Sequence, residues 1–273
     1  MPGCFGCNIA GFHYPLTLHR PHFTARSSAE VATVAEVTLD ADRLGIRGLN
    51  TALHAVPAGA HVRVLNPRGR HNLAVGLRER VTVDIAGPCG HYLGGLGARA
   101  EITVRGPVGR GVGENLMSGG IRVRGDAGSG AAAAARGGTI AISGDCDSGA
   151  GIALAGGTLA IAGNAGPYCG RAARSGVILV CGDAGPGLGD ALVDAVIYVG
   201  GRIAGLGEGA LAAEPDENDL TAAKLIAATC GFDHVNPENL TKVTSVRYRP
   251  RLLTGRRASG RPPVPGRLSA ASA

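Results

Sequence analysis

The chain has 273 residues, with 46 glycines, no Trp, 3% aromatic residues, 45% hydrophobic residues and a formal net charge of +6. The hydrophobic share excludes a disordered chain, and the missing aromatic bulk argues against an ordinary globular α/β core of this length. Seven cysteines, odd in number and scattered, suit a reducing cytosol better than a disulfide framework.

Residues 1–30 read as an irregular leader without the apolar run of a secretory signal. Within it, Cys4 and Cys7 form a C-x-x-C ahead of His13, His19 and His22, residue types that bind zinc. A lone C-x-x-C with no fold to fix ligand geometry is outweighed by an exposed leader, so no metal site is expected. Alternation through Val31, Val34, Val37 and Leu39 predicts a strand over 31–39. Leu49, Leu53 and Val56 share one face of a helix predicted from Arg47 to Val56. Residues 61–80 hold another strand, a turn at Pro67–Gly69 and a second apolar run.

From residue 81 to 205 the chain repeats. Gly87, Gly106, Gly125, Gly144, Gly163, Gly182 and Gly201 recur every 19 residues without an insertion. Two and four residues before each glycine stands an aliphatic: Val83/Ile85, Ile102/Val104, Ile121/Val123, Ile140/Ile142, Leu159/Ile161, Ile178/Val180 and Ile197/Val199. Aliphatics two apart lie on one face of a strand, and the glycine after them is read as a turn residue with positive φ. One coil cannot bury its own apolar face, whereas stacked coils bury a column of aliphatics and pair their strands in parallel. The expected fold is all-β: a right-handed parallel β-helix of 19-residue coils with short flanking helices. Seven coils at about 4.8 Å each make a rod of roughly 34 Å. Ala131 to Ala135, Ala153, Ala172 and Ala173 are read as small interior residues around a thin core.

The expected organisation is a leader over 1–30, a β-helix domain with its strand and helix entry over 31–212, a helical cap over 213–253 and a disordered basic tail over 254–273. In the cap, Asn218 or Asp219 is expected to begin a helix through Leu220, Lys224 and Ala227, ended by Gly231. The entry helix is expected to cover the other open end. After Glu238 no acid follows, while Arg249, Arg251, Arg256, Arg257, Arg261 and Arg267 accumulate. A solvated tail outweighs a nucleic-acid contact there. No run of 18 apolar residues occurs, and a cytoplasmic chain is expected.

Candidate chemistry is sparse. Pro88, Pro107, Asp126, Asp145, Asn164, Asp183 and Arg202 follow the repeat glycines, and Pro, Asp and Asn there are read as turn residues rather than an acidic site. No histidine stands between His91 and His234, which removes the usual base for a Ser or Cys nucleophile. Cys89, Cys146, Cys169, Cys181 and Cys230 are read as small packing residues. The uniform period leaves no room for the long loops that build a polysaccharide-cleaving cleft, and it does not fit the phase of a left-handed hexapeptide helix.

Three further stretches carry a resemblance. They are Leu49-Asn50 with Leu53, Asn66-Pro67-Arg68-Gly69-Arg70-His71, and Gly113-Glu114-Asn115-Leu116-Met117-Ser118-Gly119. With Cys181-Gly182-Asp183-Ala184-Gly185 and the glycine repeat, they resemble the GXGXG domain of the glutamate synthase large subunit over roughly residues 35–250. The resemblance is closer to the stand-alone glutamate-synthase-like subunits associated with N-methylglutamate synthase. Asp147 and Ala132 depart from that pattern by replacing repeat glycines.

The resemblance implies a scaffold without an active site of its own, inside a cytoplasmic heteromeric oxidoreductase or transferase complex. Its partners would be a glutamine-amidotransferase-like subunit and an FMN-binding glutamate-synthase-like subunit. FMN and an iron–sulfur cluster would belong to the partners, with no cofactor on this chain and no membrane contact. The alternatives are the β-helical component of a formylmethanofuran dehydrogenase-like formyl-transfer complex and an independent binding module. Asn66, Arg70, His71, Glu114 and Asn115 are the candidate partner-facing residues, with hydrogen bonding at coil corners as the competing role.

Overall fold

The computed structural model describes residues 35–232 and 239–246. The leader with Cys4, Cys7 and its histidines, Val31, Val34 and the basic tail lie outside the described residues.

The order is β1 (Glu36–Asp40), α1 (Ala41–Ala55), β2 (His61–Leu65), β3 (Thr82–Ile85), β4 (Glu101–Val104), β5 (Gly120–Val123), β6 (Thr139–Ile142), β7 (Ala155–Ile161), β8 (Ser175–Val180), β9 (Val196–Val199), β10 (Ala210–Ala213), α2 (Glu217–Cys230) and β11 (Thr241–Ser245). Strands β1 to β9 stack in chain order, each parallel to the next, in a parallel β-solenoid of about seven turns. Val83, Ile102, Ile121, Ile140, Leu159, Ile178 and Ile197 form one register column, and all are buried. A second ladder runs through Cys89, Val108, Ala127, Cys146, Ala165, Ala184 and Ile203. Cys89 and Cys146 are therefore small apolar rungs, in keeping with the packing role read for them.

The repeat glycines are needed for a different reason than the one expected. Only Gly87 and Gly106 of the seven have φ in the left-handed region, at +144° and +155°. From Gly125 onward the cause is close approach between coils. A Cβ on Gly125 would lie 2.8 Å from the Pro107 nitrogen, and one on Gly182 would lie 2.7 Å from the Gly163 carbonyl. Positive φ occurs instead seven residues later, at Gly94, Gly113, Ala132, Gly151, Gly170 and Gly189. The alanines divide as well. Ala131, Ala132, Ala135 and Ala173 are buried, but Ala134, Ala153 and Ala172 are partly exposed corner residues with φ of +50°, +53° and +53°.

The flanking helices follow local chemistry. Asp40 ends β1 and caps α1 by accepting from the Asp42 N–H at 2.8 Å, so the helix begins at Ala41 rather than Arg47. Gly45, at φ +62°, breaks it into two segments, and the second carries the expected buried Leu49 and Leu53. These pack on Val62, Val64 and Leu73, which closes the N-terminal end of the core. In α2 the N-cap is Asp216, not Asn218 or Asp219. Asp216 and Asp219 exchange hydrogen bonds at 2.9 Å each way in a capping box. Gly231 ends the helix at φ +77°, as its position predicts.

α2 does not sit over the open end. It lies on the outer face of the sheet, where Ala223, Ala227 and Cys230 pack on Ala141, Ala160, Leu179 and Tyr198. The reason is in the outward column of the strands. In the early coils it carries Asp84, Thr103 and Arg122, which suit water; from Ala141 onward it is apolar and needs cover. The far edge is closed by β11, which pairs antiparallel with both β9 and β10.

Candidate functional site

The acids after the repeat glycines form a ladder between coils. Asp126 Oδ1 accepts the Asp145 N–H at 2.9 Å, Asp145 Oδ1 the Asn164 N–H at 2.6 Å, Asn164 Oδ1 the Asp183 N–H at 2.8 Å, and Asp183 Oδ1 the Arg202 N–H at 2.8 Å. The ladder starts where Pro88 and Pro107 stop, since proline has no N–H to donate and no side-chain acceptor. Each of these Asp and Asn side chains thus ties one coil to the next.

His71 and His91 repeat this device at another corner. His71 Nδ1 accepts the His91 N–H at 2.8 Å, and His91 Nδ1 accepts the Arg110 N–H at 3.0 Å. The rings stack at 4.3 Å and 4°. With Nδ1 an acceptor, the neutral rings carry their proton on Nε2.

The Asn66-to-His71 motif grips the start of α1. Asn66 Nδ2 donates to Asp40 Oδ2 at 3.1 Å, and that bond foremost holds the Asp40 carboxyl below its ordinary pKa. Arg70 donates to the Asn66 carbonyl at 2.9 Å and pairs with Asp42 at 2.7 Å. Asn50, from the helix side, donates to the Asn72 carbonyl at 2.7 Å and accepts from the Ala74 N–H at 2.9 Å. Asn66 and Arg70 thus hold the start of α1, and Asn50 ties its second segment to the chain after His71.

The structure groups Asn66 with Arg70 and His71 with His91, but places Glu114 and Asn115 elsewhere. Both are partly exposed, and Asn115 has φ +55°. Asn115 lines an open groove of about 710 Å³ together with Arg78, Glu79, Leu96, Ala98, Arg99, Met117 and Arg136. Leu96 and Met117 are 59% and 48% exposed. Arg78, Arg99 and Arg136 make no ion pair among the described residues. Sequence reasoning missed these arginines. Met117 and Arg136 are one period apart, so reading the repeat column by column at its exposed positions would have revealed part of the groove.

Burial pushes the Cys89, Cys169 and Cys181 thiols up to about 12 and the Cys230 thiol to about 11. At neutral pH these groups are thiols, not nucleophilic thiolates. Among the described residues no cluster of three or more His, Cys, Asp or Glu is placed to hold a metal ion. Among the described residues no helix is long and apolar enough to cross a membrane. No family model matches the chain, and no curated protein matches it.

Proposed function

We propose that the chain is a non-catalytic scaffold subunit of a glutamate-synthase-like complex, of the type that makes N-methylglutamate from methylamine and glutamate. It bridges an amidotransferase-like subunit and an FMN-binding subunit, and the partners carry the flavin, the iron–sulfur cluster and the reacting groups. The observation that supports this reading most is the use of the chain's polar residues. The aspartate ladder, the histidine pair and the Asn66/Arg70 network serve contacts between coils or between the first coil and α1. Such a molecule is a stiff spacer with a long lateral surface. The 19-residue repeat and the motifs at 49–53, 66–71 and 113–119 connect it to the glutamate-synthase type.

Affinity purification of the full chain from its native source, with mass spectrometry of what co-elutes, tests the proposal. Stoichiometric recovery of an amidotransferase-like and a flavin-binding subunit is the expected result. Recovery of the chain alone, or with the components of a formyl-transfer complex, overturns it.

A further inference from the structure

The groove formed by Arg78, Arg99, Arg136, Leu96 and Met117 brings positive charge and exposed apolar surface together. Three guanidinium groups stand around it without an ion pair among the described residues. Between them lie two large apolar side chains, each about half exposed. Leu96 and Met117 leave apolar surface in water within one groove, and an arginine fork is suited to a bidentate carboxylate.

The spacing sets the shape of the occupant. Arg78 follows β2, Arg99 follows β3, Met117 follows β4 and Arg136 follows β5, so the groove crosses four successive coils. Three steps of about 4.8 Å separate its ends by roughly 14 Å, too far for one carboxylate or phosphate to bridge. An extended peptide advances about 3.3 Å per residue, so about five residues span the groove. Arg78 and Arg99 meet acids at one end, Arg136 meets an acid at the other, and Leu96 and Met117 receive an apolar side chain between. A nucleic acid strand fits less well. The groove has no aromatic side chain on which a base could stack. The chain's own C-terminal stretch does not fit, because residues 247–273 contain arginines and no acid.

We propose that this groove is the docking site for an extended acidic segment, of the pattern acid–acid–apolar–acid, on a partner subunit. The proposal rests on the scaffold reading above and adds which face is used and what chemistry fills it. Met117, an adaptable thioether, tolerates more than one apolar residue at the centre.

The test is fluorescence anisotropy of the full-length protein with a labelled, end-capped peptide Asp-Glu-Leu-Glu-Asp. The comparison probes are the same peptide with Ser for Leu, a Lys-Lys-Leu-Lys-Lys peptide and an oligo(U) strand. The expected result is saturable binding of the acidic peptide that weakens severalfold on raising salt from about 50 to about 300 mM. The double variant R99E/R136E binds at least about tenfold more weakly. The matched double variant R105E/R124E changes the same charge on exposed arginines outside the groove and binds within about twofold of the parent. Met117→Ala and the Ser peptide each lose about threefold or more. Circular dichroism melts of both double variants establish that they are folded. No saturable binding overturns the proposal, as does equal loss in the two double variants. Tighter binding of oligo(U) with the same arginine dependence assigns the groove to nucleic acid and overturns it too. Any of these failures leaves co-purification with the amidotransferase-like and flavoprotein subunits untouched, so the two readings fail separately.

Discussion

Gly151 and Ile178 offer a test of how one coil sets the side chain in the next. Gly151 has φ +69°, and a Cβ there would lie 2.5 Å from Ile178 Cδ1 and 3.5 Å from Leu159 Cδ2. Gly94 stands in the same relation to Ile121, and Gly170 to Ile197. The same register step brings Ala132 opposite Leu159, and Ala132, at φ +58°, is the one non-glycine among the six positions Gly94, Gly113, Ala132, Gly151, Gly170 and Gly189. Leu159 is also the one leucine in the aliphatic column of Ile102, Ile121, Ile140, Ile178 and Ile197. Leucine branches one carbon further out than isoleucine, so it makes room where the preceding coil presents a methyl group. Gly151→Ala combines a left-handed alanine, costing about 1–2 kcal/mol, with an overpacked contact costing about 1–3 kcal/mol. Lower unfolded-state entropy returns about 0.4–1 kcal/mol, leaving a loss of about 2–4 kcal/mol. Ile178→Leu alone should cost less than about 1.5 kcal/mol. In the double variant the clash is relieved and the loss returns to about 1–2 kcal/mol, a coupling of about 2 kcal/mol. Urea denaturation followed by far-UV circular dichroism measures the cycle. Additive single effects, within about 0.5 kcal/mol, would refute the reasoning.

Asp145→Ala removes the acceptor of the Asn164 N–H and should cost about 1 kcal/mol, while Asp145→Asn keeps an acceptor and most of the stability; urea midpoints separate the two. Asp219 is 2% exposed, and burial works to raise its pKa, but hydrogen bonds from Lys242 at 2.7 Å and Tyr198 at 2.6 Å outweigh that and lower it. Its contribution is therefore complete above the unfolded carboxylate value near pH 4 and disappears as pH falls through the lower folded value. Tyr198→Phe should cost about 2 kcal/mol and move the acid loosening of α2 to higher pH, read by near-ultraviolet circular dichroism; an unchanged acid transition refutes the assignment. Cys169 is fully buried with its thiol pushed up to about 12, so iodoacetamide at about pH 8 should leave it unmodified in the native protein and label it in urea. Peptide mass spectrometry reads that cysteine by itself, and equal labelling in both states would show that the coil opens readily.

The solenoid was legible because its code is local and repeated. Val83/Ile85 and their counterparts every 19 residues declare a strand, a buried face and a register at once, and β3 to β9 fall on them. The aspartates after the repeat glycines were legible as corner residues because they recur with the period, and their ladder is one bond between coils repeated every 19 residues. Where prediction and structure part, the cause is contact between segments distant in sequence. The length of α1 depended on Asp40 ending a strand that pairs with β2, and the place of α2 on outward residues of four strands far from it in the chain.

The sequence alone determined the period, the two buried columns and the corners, since stacking identical coils leaves one register that buries every aliphatic. Only the tertiary structure decided what the irregular parts do. It laid α2 on the flank, because four outward residues from four different strands jointly form an apolar face that no single coil reveals. It turned the Asn66-to-His71 motif inward to hold α1 and the first coil. It also gathered Arg78, Arg99 and Arg136 from three separate coils into one groove, a placement set by the stacking axis and not by chain neighbours.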